Sequence, residues 1–147
     1  MIRSYVVTFG IRATILRYFQ VYGPGQPSEG SYALVTGIFL KQAKEGKPLT
    51  IEGDGSQSRD FVHVFDVARA NVAALAIDGQ ANPINIGTGN SHTVKSLADL
   101  LSDNQVFLPP RKIDLPATQS TTQKARELLG WEASISLETG MRDLLNS

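Results

Sequence analysis

The sequence predicts an α/β fold, and three observations carry that expectation. Short β-rich apolar runs alternate with segments whose apolar residues recur at the helical period. Glycine and proline punctuate the joins, as in Tyr22-Gly23-Pro24-Gly25 and Gly53-Asp54-Gly55-Ser56. The composition is that of an ordinary globular chain of 147 residues, 41% hydrophobic and 19% charged. That length fits one domain, residues 1–147, which buries roughly 68–70% of its unfolded surface.

Taken in order, Ala13 to Phe19 is rich in β-formers and reads as a strand ending in the Tyr22-Gly23-Pro24 loop. From Tyr32 to Glu45, Val35, Ile38, Phe39 and Ala43 follow a helical period, and Gly46 stands where a C-terminal cap belongs. Pro48 to Ile51 is a short strand, and Phe61 to Val64 another extended piece. Asp66 reads as the N-cap of a helix from Val67 to Ala76. Pro83 to Gly87 is a buried strand, and Thr93 opens a helix through Leu97, Leu100 and Leu101. A loop with Pro109 and Pro110 follows. Thr121 or Thr122 then starts a helix ending at Leu128-Leu129-Gly130, and a last amphipathic helix carries Leu137, Met141, Leu144 and Leu145. Only Ala13–Phe19 and Pro83–Ile86 look like central parallel strands. A sheet that small leaves apolar faces open for something else to cover.

Several function classes drop out. Lysine plus arginine equals aspartate plus glutamate at 14 each, so no bulk charge recruits nucleic acid or an anionic membrane. The absence of cysteine removes disulfides, thiolate metal sites and a cysteine nucleophile. Arg3, Arg12 and Arg17 interrupt every apolar run near the start, and no stretch of eighteen apolar residues exists. The expectation is a cytoplasmic protein. His63 and His92 lie far apart with no carboxylate at ligand spacing, so they read as satisfied or solvated, and no metal site is expected. No glycines stand at G-x-x-G-x-x-G or G-x-G-x-x-G spacing. The residues four positions after the four tyrosines are Phe9, Tyr22, Gln26 and Thr36, so no Tyr-x-x-x-Lys pair forms. No catalytic residue is therefore assigned.

Five ordered blocks point to one family. They are Leu16-Arg17-Tyr18-Phe19-Gln20-Val21-Tyr22-Gly23-Pro24, then Gly53 through Val64 (GDGSQSRDFVHV), then Asn85-Ile86-Gly87-Thr88-Gly89. Asp114-Leu115-Pro116-Ala117 and Lys124 through Trp131 (KARELLGW) complete the set. The sequence thereby resembles, over nearly its whole length, the NAD-dependent epimerase/dehydratase family of extended short-chain dehydrogenases/reductases, nearest to UDP-glucose 4-epimerase. The resemblance implies the C-terminal, substrate-binding portion of an extended Rossmann-type fold, with only the last strands of the parallel sheet. By family spacing, the glycine-rich turn and the Tyr-x-x-x-Lys pair would fall before Met1, and the chain would begin inside the helix carrying that pair.

The resemblance also implies site residues. Arg59 and Arg111 would bracket a nucleotide diphosphate, because a guanidinium fork matches phosphate oxygens bidentately. The competing readings are an Arg59 ion pair with Asp60 or Asp66, and an Arg111 that is simply a surface arginine in a proline-rich loop. Asp114 would accept from a ribose hydroxyl or cap a turn. Gln20 stands where the family has Asn, Glu52 where it often has an apolar residue beside the uracil, and Thr118 where 4-epimerases have a sugar-contacting tyrosine. Backbone groups near Thr50 and Glu52 remain available to the base edge. Tyr22, Gly23 and Pro24 would approach the nicotinamide of an NAD that this chain does not bind alone. The ligand implied is a UDP- or dTDP-hexose, with a homodimer or a partner supplying the Rossmann half. The alternatives are a non-catalytic nucleotide-binding module and a self-associating assembly element.

Overall fold

The computed structural model describes residues 2–79 and 82–147. Its helices are α1 (Ile2–Phe9), α2 (Val35–Lys44), α3 (Val64–Leu75), α4 (Val94–Asp99), α5 (Gln123–Leu129) and α6 (Leu137–Asn146). Its strands are β1 (Leu16–Tyr18), β2 (Gln20–Tyr22), β3 (Leu49–Glu52), β4 (Ser58–Arg59), β5 (Phe61–His63), β6 (Ile84–Ile86), β7 (His92–Thr93) and β8 (Gln105–Leu108).

The organising feature is an extended segment that changes partner. β1 pairs parallel with β6, from Leu16↔Ile84 to Tyr18↔Ile86. β2 pairs parallel with β5, from Gln20↔Phe61 to Tyr22↔His63. The switch takes one residue: the Phe19 amide donates to the Ile86 carbonyl and the Gln20 amide to the Asp60 carbonyl, both at 3.0 Å. Both amides at the junction are thereby paired, so the change of partner leaves neither of them without an acceptor.

β5 divides the interior. Alternate side chains of a strand point to opposite faces, and Phe61 and Val62 accordingly belong to different cores. Phe61 packs with Tyr22, Phe39, Leu49, Ile51, Leu97 and Met141. Val62 packs with Val67, Ala70, Ile84, Ile86, Ala125 and Trp131. Helix α6 closes over the first core because Gly140 presents no side chain there. A Cβ at that position would run into the Tyr22 phenol ring.

Local signals hold where the partner is local. Gly46 follows α2 at φ 65° and its amide returns to the Ala43 carbonyl. Thr93 caps α4, its hydroxyl accepting from the Ser96 amide at 3.0 Å. Gly130 ends α5 in the left-handed region at φ 58°. The helix expected from Tyr32 begins only at Val35, and α4 stops at Asp99, short of Leu100 and Leu101.

Three expectations need correction. Among the described residues three parallel pairs form rather than the one pair that two central strands would make: β2 pairs with β5, and residues 105–108, expected in a loop, form β8 alongside β3 in register Leu49↔Gln105 to Glu52↔Leu108. The strand read at Ala13–Phe19 is displaced towards the loop, to Leu16–Tyr18 and Gln20–Tyr22. Asp66 does not cap α3. The cap is His63, whose Nδ1 accepts from the Phe65 amide at 3.2 Å, while the Asp66 carboxylate turns inward. Thr122 is the N-cap residue of α5, as expected, although its side chain makes no capping bond, and the Thr121 hydroxyl accepts from Asn85 Nδ2.

The largest exposures of apolar side chains on helices fall on α1 and α3. Val7 and Phe9 of α1 are 84% and 65% exposed, and Val72 and Leu75 of α3 are 69% and 86% exposed. Among the described residues, no helix is long and apolar enough to cross a membrane.

Candidate functional site

Six of the sequence-derived residues come together. Gln20 from β2, Thr50 and Glu52 from β3, Arg59 from β4, and Arg111 and Asp114 from the loop after β8 line one cleft of about 160 Å³. Apolar residues also line it: Ile38 and Phe39 of α2 and Val94 of α4. The burial pattern of β3 explains the placement. Leu49 and Ile51 point into the core, so Thr50 and Glu52 necessarily share the opposite face. A larger outer cleft of about 870 Å³ adjoins it, walled by Phe107, Leu108, Pro110, Leu115 and Pro116.

Each arginine already holds a carboxylate. Arg59 pairs through Nη2 with Asp114, and its Nη1 donates to the Leu115 carbonyl at 2.8 Å and to the Ser58 carbonyl at 2.7 Å. The alternative partners Asp60 and Asp66 are thus replaced by a residue 55 positions away. Arg111 pairs with Glu52. The loop is further stitched to β4 by the Ser58 amide on the Pro116 carbonyl and the Thr118 amide on the Ser58 carbonyl. Thr118 serves that stitch through its backbone and lines neither cleft.

The backbone near the inner cleft is less free than expected. The Thr50 amide donates to Gln42 Oε1 at 3.0 Å, and the Thr50 hydroxyl accepts from Gln42 Nε2 at 2.9 Å. The Glu52 carbonyl accepts from Gln57 Nε2 at 3.0 Å. Gln57 lines both clefts, and it went unremarked inside the GDGSQSRDFVHV block.

The residues assigned to the nicotinamide side lie elsewhere. Tyr22 is buried, and its phenol donates to the Ser136 carbonyl at 3.2 Å. Burial first, then the Asp66 carboxylate, pushes that phenol far above the ordinary tyrosine range. Gly23 and Pro24 line a separate groove with Leu40, Lys41 and Leu144. His63 stacks edge-on against Tyr22 at 5.1 Å, and burial lowers its pKa, which keeps it neutral for its capping role. Among the described residues no group of three or more His, Asp or Glu side chains could hold a metal ion.

A second group, missed from sequence, supports the first. Asp60 is fully buried beside Arg59. Its Oδ1 accepts from the Thr88 amide at 2.8 Å and hydroxyl at 2.7 Å. Its Oδ2 accepts from the Gly89 and Ser120 amides, both at 3.0 Å, and the Ser120 hydroxyl at 2.5 Å. One carboxylate thereby ties the Asn85–Gly89 block to the Ser120 turn and holds the strand that presents Arg59.

Comparison with known proteins matches residues 1–87 to the NAD dependent epimerase/dehydratase family. The chain belongs to that family. This epimerase/dehydratase chain is 34% identical to a UDP-glucuronate 4-epimerase of Thermodesulfobacterium geofontis, across 97% of its own length and 45% of the relative's. Among solved structures, it is similar to UDP-glucose 4-epimerase with UDP-glucose from Thermotoga maritima. The TM-score there is 0.92 and the identity 38%, over 99% of this chain and 48% of that one. The UDP-glucuronic acid 4-epimerase of Bacillus cereus, in complex with UDP-glucuronic acid and NAD, gives 0.87 and 33%, over 98% and 47%. The chain spans about half the length of the curated relatives it matches. That share agrees with the portion of an extended Rossmann-type enzyme expected from the motif blocks.

Proposed function

We propose that this chain is the nucleotide-sugar-binding portion of an NAD-dependent epimerase/dehydratase of the UDP-glucose 4-epimerase type. The observation that carries this is convergence. Six residues assigned to substrate from sequence, spread from Gln20 to Asp114, line a single cleft. The ligand is a UDP- or dTDP-hexose, its flat base against Phe107 and Leu108 and its diphosphate between Arg59 and Arg111. A net-neutral chain binds such an anion through these few placed donors.

The family reaction oxidises a sugar ring hydroxyl to a ketone and returns hydride to the opposite face. NAD supplies the hydride chemistry, and its pyrophosphate needs a glycine-rich turn that this sequence lacks. A Rossmann-type half therefore binds it, in the same polypeptide or in a partner chain. That half would cover the apolar residues that α1 and α3 leave exposed. Within this chain, Gly23 and Pro24 would face the nicotinamide side through backbone and ring, since the Tyr22 phenol is committed to Ser136.

Two outcomes test the proposal. Titration calorimetry should show UDP binding that Arg59→Ala weakens by roughly 10- to 100-fold, the loss of a charged hydrogen bond. Absence of heat with both UDP and dTDP would remove the reading. The isolated chain should not interconvert UDP-glucose and UDP-galactose when NAD is added, because no Tyr-x-x-x-Lys base exists in it. Measurable turnover would contradict that.

A further inference from the structure

The two clefts share walls. Glu52, Gln57, Arg111 and Asp114 line both the outer cleft of about 870 Å³ and the inner one of about 160 Å³. Pockets for drug-sized ligands run to roughly 300–1,000 Å³, so the inner cleft alone is too small for a sugar diphosphate. Three of these four shared residues are charged, and two of them, Glu52 and Arg111, pair with each other.

The two ion pairs of the site are unequal. Arg59 is 16% exposed and is also held by two carbonyls, so its guanidinium is fixed in place where it lines the inner cleft. Arg111 is 63% exposed, and among the described residues its recorded anchor is Glu52 alone. Their backbones differ as well. Glu52 ends β3, with its carbonyl on Gln57 and the next amide, Gly53, on the Leu108 carbonyl at 3.0 Å. Arg111 follows β8 through Pro109 and Pro110, in a loop. Glu52 is therefore the fixed partner and Arg111 the one that can swing.

We propose that the Glu52–Arg111 pair is a gate between the clefts, with Glu52 an internal competitor for the guanidinium that a ligand phosphate would otherwise take. The inference rests on the nucleotide-binding reading above. A ligand with its ring in the outer cleft and its phosphates in the inner one must pass this pair. Its phosphate then replaces the Glu52 carboxylate on the Arg111 fork, and Glu52 is left to water. The competition lowers affinity for every phosphate-bearing ligand. It also means that the phosphate, and not the ring, opens the inner cleft. Glu52 becomes a specificity-determining residue of the free state.

The test is a double-mutant cycle read as UDP dissociation constants for the native chain, Glu52→Gln, Arg111→Ala and the double variant. Calorimetry serves the tighter pairs, and phosphorus NMR at millimolar nucleotide serves the weaker ones. Breaking an exposed ion pair should tighten UDP binding about two- to fivefold in Glu52→Gln, and the gain should vanish in the Arg111→Ala background. Glu52→Ala repeats the cycle if glutamine disturbs the end of β3. Equal constants for the native chain and Glu52→Gln would overturn the gate. So would a gain that persists without Arg111, since that reports only a lost negative charge. Either result leaves the nucleotide reading standing, whereas no UDP binding by any of the four proteins removes that reading and the gate together.

Discussion

Replacing Asp60 by alanine should cost about 3–5 kcal/mol of stability, among the largest effects available to a single substitution here. The carboxylate is fully buried and accepts from the amides of Thr88, Gly89 and Ser120 and the hydroxyls of Thr88 and Ser120. Alanine strands these donors in a dry site, where each unsatisfied group costs about 1–3 kcal/mol before water or rearrangement recovers part. Asparagine should fare little better. Both carboxylate oxygens act as acceptors, so an amide nitrogen in either place meets two or three donors. For a chain of this size the loss corresponds to a melting temperature lower by roughly 10–15 °C, read by circular dichroism. UDP binding should fall as well, although Asp60 lines neither cleft, because the strand presenting Arg59 loses its anchor. An Asp60→Asn protein melting within a few degrees of native would show that the network is not what holds this region.

The dependence on Asp60 illustrates which features could be read in the sequence. Gly46, Thr93 and Gly130 end or begin helices by bonds spanning three to five residues, so their neighbours in sequence are their partners in space. Of the residues that line the inner cleft, Gln20, Arg59 and Asp114 stand inside the motif blocks, and Thr50, Glu52 and Arg111 stand within three residues of one. What could not be read is how these groups engage one another. Arg59 was set against Asp60 and Asp66, its near neighbours, but it pairs with Asp114 across the cleft. Glu52 and Arg111 were each noted separately, and nothing in their spacing joins them. Residues 105–108 form a strand only because β3 offers an edge in parallel register, while the following prolines argue locally for a loop. Asp66 obeys the cap signature and yet is drawn inward, because the amides of residues 134 and 135 offer it more than the helix start does.

That inward turn makes Asp66→Ala the second large effect, about 2–4 kcal/mol. Burial alone would raise the Asp66 pKa. Bonds from Arg69 at 2.5 Å, the Ile135 amide at 3.0 Å, and the Ser134 hydroxyl and amide at 2.9 and 3.0 Å outweigh it and hold the carboxyl below its ordinary value. A depressed folded-state pKa contributes stability that is fully present above the unfolded value, about 3.9, and is lost as pH falls through the folded one. The native chain should therefore hold the Asp66 contribution unchanged between about pH 7 and 5 and lose it progressively below about pH 4. Asp66→Ala should start lower and decline less steeply in that acid range. The chain carries its own probe, since its single tryptophan, Trp131, is buried and donates from Nε1 to the Asp66 carbonyl at 3.0 Å. Urea titrations followed by Trp131 fluorescence at several pH values would give both curves. Parallel acid declines for the two proteins would mean that Asp66 does not set the acid limit. A neutral-pH difference under about 0.5 kcal/mol, the range of an ordinary surface substitution, would mean that the 131–136 segment is held to α3 by the Trp131 ring rather than by this carboxylate.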